Sequence, residues 1–125
     1  MRYYQICGLN VESDFTLQGA YEIEKPSKVH VTIGQEEIEE KYTEIMPVEY
    51  EHEIGHGFIN HQEKWSCARF RGIAVFVIRE GNRIGYHLYE GYEAKRVSDL
   101  MIEYCLSILA YQRNIERQYS IIKTC

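Results

Sequence analysis

Long apolar runs are missing from this 125-residue chain, and none approaches the roughly 18 residues that a membrane-crossing helix needs. The opening, MRYYQICGLNVESD, lacks the apolar centre of a secretory signal, which points to the cytoplasm. Clustered cysteine is missing too. Cys7, Cys67, Cys105 and Cys125 are scattered with no Cys-x-x-Cys spacing, so reduced, buried or half-buried thiols are expected in place of a zinc cluster or a disulfide set. No G-x-x-x-x-G-K-[ST] loop, G-x-G-x-x-G turn or G-x-S-x-G elbow occurs, which removes the commonest phosphate cradles and the hydrolase nucleophile. Ser66-Cys67 has histidines upstream, but nothing around it marks an activated thiol.

Positive charge is scarce in the first half. Residues 1–65 carry 13 acidic and 5 basic side chains, residues 66–125 carry 6 and 9, and the whole chain has a net charge of −5. That balance argues against a general nucleic-acid binder. Arg69, Arg71, Arg79 and Arg83 are interleaved with apolar residues, as on the solvent side of strands.

What the chain has is the 45% apolar and 26% charged make-up of a soluble globular protein, in a length that suits one domain over residues 1–125. Its 11 tyrosines provide large half-polar surfaces for sheets and interfaces. RYYQIC reads as a short strand with Tyr4 and Ile6 on one face, ended by Gly8. VESDFTLQGAY reads as a loop anchored by Phe15 and Leu17, and Lys25-Pro26-Ser27 as a turn. In KVHVTIG, Val29, Val31 and Ile33 alternate with Lys28, His30 and Thr32, which predicts a half-buried strand stopped by Gly34. Ile38, Tyr42 and Ile45 in a charged context fit a short helix or an exposed loop.

The strongest strand signal runs from Cys67 to Glu90. CARFRGIAVFVI and RIGYHLYE flank Glu80-Gly81-Asn82, a tight-turn sequence, which predicts a hairpin; Gly72 marks a bulge or a break between strands. Residues 93–113 recur in apolar character at spacings of three and four (Val97, Leu100, Met101, Tyr104, Cys105, Ile108, Tyr111), which predicts the one long helix. Leu106, Leu109 and Ala110 widen its apolar arc, as if it were buried on more than one side. Asn114 suits a helix stop, and RQYSIIKTC reads as a last strand. The expected fold is therefore α+β, an antiparallel or mixed sheet of about five or six strands with the 93–113 helix packed on one face.

One pentapeptide has the form of a metal site. His52-Glu53-Ile54-Gly55-His56 matches H-E-x-x-H, which on a helix gives two zinc ligands and a general base. Gly55 and Gly57 each cost about 1 kcal/mol against alanine in a helix. The alternation of the flanks suits a strand better, and His61 falls one residue short of the third-ligand position. The segment is expected to be a polar loop or strand edge, with a zinc-dependent hydrolase through His52, Glu53 and His56 as the alternative.

The order of these pieces resembles HPr serine kinase-like proteins of peptide-natural-product gene clusters. YQICGLNVESDFTL, with Gly8-Leu9 and Ser13-Asp14-Phe15-Thr16-Leu17, is similar to that family's opening; VHVTIGQ to its next strand; FRGIAVFVIREGNRIGYHLYEG to its hairpin; and the helix ending Tyr111-Gln112-Arg113-Asn114 to one that ends Gln-Arg-Gly. The likeness skips residues 36–65. The family's kinase domain has no counterpart in this sequence, so the resemblance implies the amino-terminal, non-catalytic domain, whether of a truncated kinase or of a standalone relative. It implies a binding or regulatory role: positioning a peptide or protein substrate, or self-association as a homodimer. The charge balance and the missing apolar run leave no nucleic acid or membrane expected as partner, and no cofactor is expected. No catalytic, cofactor-binding or metal-binding residue is carried over. A standalone small adaptor is the further alternative.

Overall fold

The structure, a computed structural model, describes residues 1–43, 56–60, 65–70 and 72–113. Among them are the strands β1 (Arg2–Ile6), β2 (Leu9–Ser13), β3 (Tyr21–Ile23), β4 (Val31–Gln35), β5 (His56–Asn60), β6 (Trp65–Phe70), β7 (Ala74–Arg79) and β8 (Arg83–Leu88). Helical elements are the single turn α1 (Glu40–Thr43) and a long helix built from α2 (Ala94–Asp99), a π segment (Leu100–Cys105) and α3 (Leu106–Arg113). The fold is α+β, as the periodicities predict, but the eight strands outnumber the expected five or six.

All eight strands form one sheet in the order β3-β1-β2-β4-β8-β7-β6-β5. β1 pairs antiparallel with both β2 and β3, and β5 to β8 form an antiparallel meander. β4 joins the two halves, running parallel to β2 on one side and to β8 on the other. The 67–90 hairpin is present as β7 and β8, with Arg79 paired to Arg83 around the turn, and Gly72 (φ +72°) lies in the turn between β6 and β7.

The extra strands come from segments with weak turn signals. Cys7 and Gly8 both have positive φ, +52° and +79°, and Ile6 pairs with Leu9, so these two residues are a hairpin turn. The chain therefore continues into β2 where a loop is expected. Leu9 and Val11 are buried, and Ser13 is buried with its hydroxyl donating to Phe15 O (2.7 Å) and accepting from Phe15 N (3.0 Å). Leu17 anchors the next loop as expected, its N–H donating to the Tyr4 hydroxyl at 3.0 Å. Gly34 does not stop β4, which runs on to Gln35.

The main core lies between one sheet face and the long helix. Tyr4, Val11, Ile33, Phe70, Phe76, Ile78 and Ile84 meet Val97, Met101, Cys105 and Leu109 there. A smaller cluster of Tyr42, Cys67, Val75 and Val77, with Ile38 and Trp65 at its margin, covers part of the other face. β7 is therefore buried on both sides, which accounts for its unbroken apolar run AVFVI. The expected last strand, the Asn114 stop and Ile45 lie outside the described residues. No helix among the described residues is long and apolar enough to cross a membrane.

Candidate functional site

Of the H-E-x-x-H residues, His52 and Glu53 lie outside the described residues, as does His61. His56 is the first residue of β5 and pairs in register with Arg69. A helix presenting two imidazoles one turn apart does not extend to a strand residue. Among the described residues, no group of three or more His, Cys, Asp or Glu could hold a metal ion.

Two thiols of the described residues are shut away from solvent. Cys67 and Cys105 are free and fully buried. Burial pushes the Cys67 thiol up to about 12, against the opposing pull of the Arg69 charge. Burial also holds the Cys105 thiol well above its ordinary value. A thiol without accessible thiolate is no nucleophile. Cys7 departs from the expectation of reduced thiols, because it is disulfide-bonded.

The second face of the sheet carries a charged cluster built on two of the arginines expected to face solvent, Arg79 and Arg83. Arg79 and Arg83 are cross-strand partners, and like charges directly opposite are destabilising unless an acid lies between them. Glu36, just beyond β4, is that acid. Arg79 Nη2 donates to both of its oxygens at 2.8 and 2.9 Å, and Arg83 donates to Oε2 through Nη2 (3.0 Å) and Nε (3.2 Å). Gly34 and Gly85 are register partners on β4 and β8, and a side chain at Gly85 would run into the Glu36 carboxylate. Here glycine provides a close approach within strands. The Glu36 backbone is fixed as well, its N–H donating to Tyr86 O at 2.9 Å.

This clamp brings residues 36–43 onto the sheet. Ile38 and Tyr42 reach the second-face cluster, and α1 touches β6. The Tyr42 ring meets Trp65 edge-on at 5.0 Å, with Lys41 Nζ 4.9 Å and the Arg79 guanidinium 5.9 Å from its centroid. Burial alone would lower the Arg79 pKa, but Tyr42 and Glu36 outweigh it and hold the guanidinium above its ordinary value. Lys41, Tyr42, Trp65, Arg79 and Glu80 line a pocket of about 340 Å³. A cavity of about 390 Å³ at the other end of the sheet is bordered by Gln18, Tyr21, Ile102 and the carboxylates of Asp99 and Glu103.

Arg79 and Arg83 flank a tight turn at equal distance, so the sequence does contain a signal for the cluster: a like-charge pair that needs a bridging carboxylate. It does not say which of the many glutamates supplies it. No protein-family model, curated protein or solved structure matched the chain.

Proposed function

We propose that the chain is a non-catalytic binding domain that holds a peptide or protein segment against the second face of its sheet, the role its resemblance to the amino-terminal domain of HPr-kinase-like proteins implies. The observation that carries this reading is the pocket joining two aromatic rings to two cations and one acid: Tyr42 and Trp65 with Lys41, Arg79 and Glu80. Its size suits a side chain or small group, and an apolar wall with a few placed charges is the usual make-up of a recognition site.

The favoured occupant brings a carboxylate to Lys41 and an apolar side chain to Trp65. Among the described residues, the Lys41 ammonium lies over the Tyr42 ring and makes one long, exposed ion-pair contact, with Glu39 at 3.9 Å, a weak pairing that a closer carboxylate would displace. Arg79 uses a single nitrogen, Nη2, on Glu36. Aromatic residues and arginine are the side chains most often found at the energetic centre of interfaces.

Trp65 is the only tryptophan, so its emission reports on the pocket directly. The test is a titration at low salt with short peptides that share an aromatic residue and differ in carrying glutamate, glutamine or lysine beside it. A saturable change with the glutamate peptide, weakened about threefold in Lys41→Ala, is expected for a largely exposed charge pair. Equal responses to the three peptides, or none, would remove the reading.

A further inference from the structure

The pocket is bounded on one side by the β7–β8 turn, and that turn is gripped from behind by the end of the long helix. Gln112, 5% exposed, accepts from Gly81 N at 3.0 Å and donates to Ile78 O at 2.9 Å. Arg113 Nη1 donates to Gly81 O at 2.9 Å. Both backbone groups of Gly81 are thus held by two consecutive helix residues. The fit is close, since a Cβ at position 81 would lie 2.5 Å from Arg113 Cγ.

The gripped turn is strained. Glu80 has φ +54°, a left-handed conformation that a residue with a branched or long side chain rarely adopts, and Gly81 follows at φ +69°. Such a conformation persists where surrounding contacts over-determine it, and such outliers concentrate at binding sites. Glu80 and its neighbour Arg79 are both pocket residues.

We infer that Gln112 and Arg113 are positioning residues for the pocket: through Gly81 they hold the β7–β8 turn in the strained form that keeps Arg79 and Glu80 facing the pocket. The end of α3 and the occupancy of the pocket are then linked, and displacement of the helix end loosens the pocket wall. The biological meaning rests on the binding function proposed above, but the linkage itself needs no ligand to be tested.

Arg79 and Trp65 are register partners on neighbouring strands, so both side chains leave the same sheet face and the guanidinium is one of the charges around the indole, with Lys41 and Glu80. Quenching of Trp65 emission by iodide and by caesium in the full chain reads that charge. Two charge-conserving variants, Gln112→Met and Arg113→Lys, are compared with Val11→Ala, which loosens the distant β2 core without touching the turn. The iodide-to-caesium quenching ratio is expected to fall about twofold in Gln112→Met as the cation leaves the indole. A smaller fall in the same direction is expected in Arg113→Lys, and no change in Val11→Ala. An unchanged ratio in Gln112→Met, or in Arg113→Lys should the first not fold, would overturn the inference. So would an equal fall in Val11→Ala, which would mark general loosening. Absence of peptide binding in the parent protein, with the ratio shift present in Gln112→Met, would refute the proposed function and leave the linkage standing.

Discussion

The Glu36 carboxylate occupies the space that a side chain at position 85 would fill. Two strands thus leave out a side chain at one level so that an acid can reach across the sheet and bridge Arg79 and Arg83. Gly85→Ala is expected to destabilise the fold by about 1–3 kcal/mol, the ordinary cost of overpacking. The same change made in Glu36→Ala should cost much less, because the obstructing carboxylate is gone. Urea midpoints of the four proteins in a double-mutant cycle check this; additive losses would show that position 85 is constrained by something other than Glu36.

The buried thiols make a second prediction. With burial holding Cys67 up to about 12, roughly one molecule in ten thousand carries thiolate there at pH 8. Iodoacetamide labelling, mapped by peptide mass spectrometry, should leave Cys67 and Cys105 unmodified in the native protein. The two should become labelled together as urea crosses the unfolding transition, since both lie under opposite faces of the same sheet. Rapid native labelling at Cys67 alone would contradict its burial and reopen a chemical role for that thiol.

The extent to which this architecture can be read from residues alone depends on how local its causes are. β7 follows from an unbroken apolar run, β8 from alternation and the long helix from three-four spacing, each within one segment. The β1–β2 hairpin is hidden because Cys7, a residue with no turn preference, takes a left-handed conformation beside Gly8. The widened apolar arc at Leu106, Leu109 and Ala110 reads as burial on two sides, but the π segment at Leu100–Cys105 gives a different cause. Its wider turn shifts the phase of the apolar stripe, so the residues facing the core move on from Cys105 to Leu106. The glycines at 34 and 85 are misleading in isolation, because what they accommodate comes from a residue far away in the chain. The pocket is harder still, since Lys41, Trp65 and Arg79 meet only once Glu36 has been placed.

A pH dependence follows from the joint between β2 and β4. His30 Nδ1 accepts from Asn10 N at 2.9 Å, His30 N donates to Asn10 O at 2.9 Å, and the Asn10 side chain donates to Lys28 O at 3.0 Å. An Nδ1 that accepts carries no proton, so the joint requires the neutral ring. Burial first, and then the charges of Lys28 and Arg113, lower the His30 pKa from its usual 6.5. The unfolded chain therefore binds the proton more readily than the folded one. The stabilisation is present in full above the unfolded value, and it is lost as pH falls through that value and then through the lower folded one. The gap in urea midpoint between the parent protein and His30→Ala should be widest near pH 7.5 and should close steadily below pH 6.5. Because many carboxylates also begin to titrate towards pH 5, the difference between the two proteins is the informative quantity, not either curve alone. A gap that stays constant from pH 7.5 to 5, or that widens on acidification, would mean that the imidazole holds the joint in its charged form and that the Asn10 contact is not what fixes β4 beside β2.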